Sequence, residues 1–103
     1  EIASVGMTEE NAIESIGKNR IMIYKSKFRS LSKSLPKKGS PCILKLIVEK
    51  KSQKILGCHM IGENASEIIQ MASISLVLGA SKEDFDNTMA LHPTIAEEFV
   101  TMR

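Results

Sequence analysis

The stretch CILKLIVEKKSQKILGCHMI, residues 42–61, carries the clearest structural pattern in the sequence. Apolar side chains alternate with others in both halves, which is typical of half-buried β-strands. The alternation gives each half one apolar face: Cys42, Leu44, Leu46 and Val48 in the first, and Leu56, Cys58 and Met60 in the second. The polar connection of residues 50–53 has hairpin length, so the pattern predicts antiparallel strands at Cys42–Glu49 and Lys54–Ile61.

Further elements are predicted on both sides of this hairpin. Upstream we expect a strand at Ile2–Met7, a helix from the N-cap Thr8 to Gly17, and a strand at Arg20–Phe28. Downstream the longest helix should run from Asn64, with Glu67 completing a capping box, to Gly79, and a short helix should follow Ser81. The sequence therefore predicts an α+β fold in one domain over residues 1–103, with a small antiparallel sheet of three to four strands packed with helices.

The predicted long helix is apolar around most of its circumference, and Glu67 is its only charged residue. A surface helix of a monomer normally has a charged outer face. One apolar side can pack on the sheet, and we expect the other to meet a sister subunit or a larger domain.

Composition and charge exclude several classes of protein. A hydrophobic fraction of 43% and a charged fraction of 25% are ordinary for a globular domain, and no apolar run is long enough to span a membrane. Two cysteines are too few for a disulfide scaffold, so we expect buried thiols in a cytoplasmic protein. Metal binding is not predicted, because Cys42, Cys58, His59 and His92 match no zinc-ligand spacing.

The net charge of +2 is unevenly distributed, since nine basic residues and no acidic ones lie between Glu14 and Glu49. Four of the nine fall in the serine-rich stretch Arg29–Lys38. A basic stretch of this kind can bind nucleic acid, which leaves a small nucleic-acid-binding module as an alternative reading. A solvated face with a connecting loop is the preferred interpretation, because Tyr24 and Phe28 are the only aromatic residues there that could stack on bases.

The end of the chain holds the best candidates for chemistry. Pro93 keeps His92 out of helical geometry, and Thr94 with Glu97 forms a capping-box pattern for a helix over Ile95–Met102. Glu97 could simply cap this helix, or it could hydrogen-bond one imidazole nitrogen of His92 and leave the other free to move protons. The spacing leaves both possibilities open.

The sequence contains no nucleophile or cofactor-binding motif with which such a histidine could act. There is no G-x-G-x-x-G motif, no P-loop, and no C-x₂-C or C-x₄-C redox pair. A histidine without a nucleophile or cofactor is not an active site, so we expect the chain to be one component of a larger site and to be inactive alone.

The segment MALHPTIAEEFVTMR, residues 89–103, resembles the C-terminal end of the glutathione reductases, which belong to the FAD-dependent pyridine nucleotide-disulfide oxidoreductases. SVGMTE at residues 4–9, KILGCHMIG at 54–62 and GASKEDFDNT at 79–88 are also similar to that family. The HPT-x-x-E element is shared with dihydrolipoamide dehydrogenase and trypanothione reductase, which remain alternatives, whereas FDNT and the EEFVTMR ending are more specific to glutathione reductases.

The resemblance implies the dimerisation domain of a homodimeric flavoprotein in which NADPH reduces FAD, FAD reduces a disulfide, and the dithiol reduces glutathione disulfide. It further implies that His92 acts as acid–base catalyst in the partner subunit's active site and that Glu97 orients it. The backbone of His92 would approach the partner's FAD, and Met60 and Glu98 would line the glutathione pocket. Ile95 replaces a smaller residue of the family, which should alter packing only.

Overall fold

A computed structural model describes residues 1–29, 41–90 and 96–103. Its strands are β1 (Ile2–Gly6), β2 (Ile21–Arg29), β3 (Pro41–Glu49) and β4 (Ile55–Ile61), and its helices are α1 (Glu9–Ser15), α2 (Ala65–Val77), α3 (Lys82–Asp86) and α4 (Glu97–Thr101), with a 3₁₀ turn at Lys18–Arg20. The strands form one antiparallel sheet in the order β1-β4-β3-β2. This confirms the predicted α+β class with an antiparallel sheet.

The predicted hairpin forms the centre of the sheet, where β3 pairs with β4 in antiparallel register from Ile43 opposite Ile61 to Val48 opposite Ile55. One face of β3 is buried as expected, with Leu44 and Leu46 fully inaccessible to solvent. Because β3 and β4 lie between two other strands, the pattern that was clearest in the sequence belongs to the most enclosed part of the fold.

The predicted face of β4 is wrong at one residue. Ile47 pairs with Gly57 and Val48 with Ile55, so Leu56 is an extra residue in β4. Such a bulge reverses the alternation of side chains beyond it. Ile55 therefore joins the core beside Cys58 and Met60, whereas Leu56 packs against the cluster on the opposite face.

Helices cover the two faces of the sheet unequally. Helices α2, α3 and α4 pack on one face and form the main core with β3 and β4. Helix α1 covers only part of the other face, around Ala12, Ile21 and Ile47. Its predicted N-cap is confirmed, since the Thr8 side chain accepts a hydrogen bond from the Asn11 N–H.

Helix α2 begins and ends near the predicted positions, but its predicted capping box is absent. Asn64 stands at the N-cap in a left-handed conformation with φ of 62°, and its side chain makes no capping hydrogen bond. Instead, the carboxylate of Glu1 accepts a hydrogen bond of 3.1 Å from the Ser66 N–H. A distant residue thus supplies the acceptor for the first turn that a capping box would take from the side chain of Asn64. Gly79, with φ of 72°, follows the end of the helix as predicted.

Candidate functional site

The predicted catalytic pair is only half described, because His92 and Thr94 lie outside the described residues. Glu97 is the first residue of α4, and its side chain is half-buried. Ala96 stands at the N-cap without a side-chain hydrogen bond, so Glu97 does not take the third helical position that a capping box with Thr94 requires. The orientation of His92 by Glu97 stays a prediction.

Glu98 is held across the sheet by a long-range hydrogen bond. The Ser26 hydroxyl on β2 donates to a Glu98 carboxylate oxygen at 3.0 Å, in a partly buried position. A carboxylate that accepts a hydrogen bond from a rigid strand has a restricted orientation. The contact also ties the first turn of α4 to the edge strand that lies farthest from β1 in the sheet.

Met60, the other predicted substrate contact, is 1% exposed and lies in the main core. Its side chain belongs to the main core that the helices cover, and Met60 is also among the residues that line the shallow groove on the face of the sheet beside α1. A role for Met60 in contacting glutathione stays a prediction, and the role visible in this domain is packing.

A buried lysine on α3 was not anticipated from the sequence. Lys82 is 3% exposed, and its Nζ atom donates to the Asp86 carboxylate and to the Met102 carbonyl, the latter at 2.7 Å. The same atom lies 4.6 Å from the centroid of the Tyr24 ring. Arg103 reaches the same carboxylate at 3.0 Å and the same carbonyl at 3.1 Å. We call Lys82, Asp86, Arg103 and the Met102 carbonyl the α3–α4 clamp.

The outer side of α2 is apolar and exposed, as the sequence predicted. Met71, Ile74, Val77 and Leu78 are between 52% and 87% exposed, and Met89 beyond α3 is 86% exposed. The opposite side of α2 buries Ala65 and Ile69 in the main core. A helix with apolar residues on both sides is suited to packing between two layers, one inside this domain and one outside it.

Both cysteines are free and buried, which confirms the expectation that they belong to the core. Burial raises the pKa of the Cys58 thiol to about 12, because the apolar surroundings disfavour the thiolate. Since the thiolate is the reactive species, Cys58 is poorly suited to redox chemistry at neutral pH.

The face of the sheet beside α1 carries a shallow groove of about 300 Å³, lined in part by Lys25, Lys45 and His59. Lys45 is paired with Glu9 at 3.0 Å. The two ring nitrogens of His59 lie 2.9 Å from the Ser4 hydroxyl and 2.8 Å from a backbone carbonyl. These partners give His59 a structural role. Within residues 1–29, 41–90 and 96–103, His, Cys, Asp and Glu form no group of three that could hold a metal ion.

The basic stretch of the sequence is only partly described, since residues 30–40 lie outside the described ranges. Lys25 and Lys27 lie on β2, and Lys45 lies opposite Lys25 on β3.

None of the helices that the structure describes is both long and apolar enough to cross a membrane.

The whole chain is similar to known proteins. Residues 1–103 match the family model of the pyridine nucleotide-disulphide oxidoreductase dimerisation domain. The chain is 46% identical to a glutathione reductase of Nostoc sp. and 40% identical to a glutathione reductase of Yarrowia lipolytica, each over all 103 residues. It spans only 22% of the length of either relative. The chain belongs to the family of pyridine nucleotide-disulphide oxidoreductase dimerisation domains.

Proposed function

We propose that residues 1–103 form the C-terminal dimerisation domain of an NADPH-dependent glutathione-disulfide reductase. The observation that carries this proposal is the 46% identity to a glutathione reductase over the entire chain, including the segment with His92 and Glu97. The reaction of the full-length protein would be NADPH + H⁺ + GSSG → NADP⁺ + 2 GSH. In this proposal the protein is a cytoplasmic homodimer that needs neither nucleic acid nor membrane.

The proposed role of this chain is proton transfer during thiol–disulfide exchange. A protein thiolate attacks one sulfur of glutathione disulfide, a mixed disulfide forms, and glutathione leaves as a thiolate. A protonated His92 from the partner subunit would deliver a proton to that leaving sulfur. The neutral imidazole would then accept the proton of the second protein thiol, whose thiolate attacks the mixed disulfide and releases the second glutathione. One imidazole thus serves both steps near neutral pH.

The terminal helix would support this transfer through two adjacent carboxylates. Glu97 would hold one nitrogen of the His92 ring, so that the other nitrogen points toward the sulfur atoms. Glu98, fixed by Ser26, would contact glutathione. Met60, whose side chain is enclosed in the main core, would line the same glutathione pocket.

The described residues offer no free groups that point to a site for FAD or NADPH in the groove beside α1. In the groove beside α1, Lys45 and His59 already have partners within the domain, and the sequence contains no glycine-rich strand-to-helix turn. We therefore propose that both cofactors are bound chiefly by parts of the full-length protein outside this chain, and that only the backbone of His92 approaches the partner's FAD. When bound, they supply the two electrons that regenerate the protein dithiol.

Substitution of His92 in the full-length protein tests the proposed role. His92→Gln should lower turnover of glutathione disulfide by about 10²- to 10⁴-fold, the usual contribution of a general acid–base group. Reduction of the flavin by NADPH, followed by absorbance without disulfide, should be unchanged. Glu97→Gln should have a smaller effect. The matched control is His59→Gln, at the other histidine of residues 1–103, which should keep most of the turnover. Wild-type turnover in His92→Gln would refute the proposal.

A separate experiment tests the interface. Val77 is 87% exposed on the outer side of α2, so Val77→Lys should weaken self-association by placing a charge in the apolar contact. Sedimentation velocity of the chain should show a shift from dimer toward monomer, whereas Ile13→Lys on α1 should leave the dimer intact. A monomeric wild-type chain, or a Val77→Lys variant that still dimerises, would contradict the proposed interface.

A further inference from the structure

Lys82 is the most enclosed charged residue among those that the structure describes. An ammonium group can donate three hydrogen bonds, and Lys82 has three electron-rich neighbours: the Asp86 carboxylate, the Met102 carbonyl and the face of the Tyr24 ring. These neighbours come from α3, from the end of α4 and from β2. The lysine therefore joins three elements at one point.

Folding alone does not require a charge at this position. Burial of an ammonium group carries a desolvation cost, and an apolar side chain of similar length often gives equal or better stability. Asp86 would keep a partner without Lys82, because Arg103 also binds its carboxylate. The same guanidinium also contacts the Met102 carbonyl. Arg103 is the chain neighbour of Met102, whereas Lys82 reaches the Met102 carbonyl from α3; what Lys82 adds is a directional contact from a second helix to the C-cap of α4, where the helix dipole favours a positive charge.

The clamp acts at one end of α4, and Glu97 begins the other end. Helix α4 has five residues, so its two ends are separated by roughly 7 Å of rigid backbone. The apolar side chains of Phe99 and Met102 also hold α4 in the core, but such contacts are not directional and permit small rotations and translations. The α3–α4 clamp and the Ser26–Glu98 hydrogen bond are directional, so they restrict where along the sheet helix α4 can lie.

We propose that Lys82 is a positioning residue of the disulfide-reducing site, which fixes α4 through the Met102 carbonyl and thereby sets the position of Glu97. This inference rests on the proposed function, because the position of α4 matters for catalysis only if Glu97 orients His92. Lys82 itself contacts neither substrate nor cofactor. Its loss should affect the proton-transfer half of the reaction and leave the flavin-reducing half untouched.

The test uses the full-length protein with Lys82→Met, which keeps the length of the side chain and removes the charge. Turnover of glutathione disulfide should fall about 10- to 100-fold, as is typical when a catalytic group shifts by an ångström or less. The fall should be in kcat, with KM for glutathione disulfide near the wild-type value. Reduction of the flavin by NADPH should keep its wild-type rate. Lys82→Arg, which keeps a cation beside Asp86 and Met102, should recover part of kcat.

The matched control is Lys54→Met, the same chemical change at an exposed lysine near the hairpin turn, which should be neutral. Should Lys82→Met fail to fold, Asp86→Asn serves as a second variant, because it weakens one contact of the clamp while Lys82 remains. Wild-type kcat in the folded variant, or an equal loss in both half-reactions, would overturn the inference. His92→Gln is measured in parallel: if it retains wild-type turnover, the proposed function itself has failed, whatever Lys82→Met shows.

Discussion

Strands β3 and β4 bury eight apolar side chains, whereas residues 96–103 bury two, Phe99 and Met102. The hairpin is held by close packing on both faces of the sheet. The terminal segment depends in addition on polar contacts that reach it from β2 and α3, through Ser26 and Lys82. We infer that apolar packing of the hairpin stabilises the domain, whereas a few directional hydrogen bonds position the terminal segment that is proposed to do chemistry.

The largest effect on stability is expected in the hairpin. Ile47→Ala should lower the free energy of unfolding by about 2–5 kcal/mol, because it removes a fully buried side chain and leaves a cavity. Ile2→Ala, the same change at a residue that is 76% exposed on β1, should cost about 0.5 kcal/mol or less. Urea unfolding of the two variants measures the difference. Similar costs would mean that the hairpin is not the stabilising centre.

A smaller and more local effect is expected at the terminal helix. Ser26→Ala removes the hydrogen bond to Glu98 and should cost about 1 kcal/mol. Because the contact is confined to α4, backbone amides of that helix should exchange hydrogen faster while those of β3 and β4 keep their protection. Ser15→Ala, at an exposed position that ends α1, is the matched control. Uniformly faster exchange in both regions would argue against separate anchoring of α4.

The smallest effect is expected at the turn between β3 and β4, where Glu49 accepts hydrogen bonds from Ser52 and from the Lys51 N–H. These bonds, with Arg20 nearby, lower the pKa of Glu49 to about 2. Because the pKa is lower in the folded state, the contribution of Glu49 to stability is present above the unfolded pKa of about 4.5 and is lost as the pH falls toward 2.

Glu49→Gln should therefore flatten the stability profile between about pH 4.5 and pH 2, while Glu10→Gln on the exposed side of α1 should not. Urea midpoints measured across this range provide the test. An unchanged slope in Glu49→Gln would show that the turn contacts do not persist in solution.

The parts of the fold that follow from local pattern were predictable. Alternation in residues 42–61 predicted the hairpin, and the short helix expected after Ser81 is present, where the structure shows a capping box between Ser81 and Asp84. The bulge at Leu56 was not predictable in this way, because one extra residue leaves the composition of the strand unchanged while it reverses the faces.

Contacts between distant residues were also missed, for a common physical reason. The hydroxyl of Ser26 meets the carboxylate of Glu98 across 72 positions of sequence, and the carboxylate of Glu1 caps α2 from 65 positions away. Lys82 appeared in the sequence as an ordinary polar residue at a helix start, and only the fold shows that it is enclosed. Of the candidate site, the pattern at the end of the chain indicated His92 and Glu97, and the family resemblance added Met60 and Glu98, whereas the long-range hydrogen bond that holds Glu98 could not be predicted from either.

The most direct test of the account asks whether His92 acts in the partner subunit. One full-length variant carries His92→Gln, and a second lacks the disulfide-attacking cysteine of the dithiol that we propose lies outside this chain. Each should be nearly inactive alone. A randomly paired mixture of the two variants should regain roughly a quarter of wild-type turnover, since half of its dimers are mixed and each of these has one complete site of two. No activity in the mixed dimers would contradict a histidine supplied across the interface.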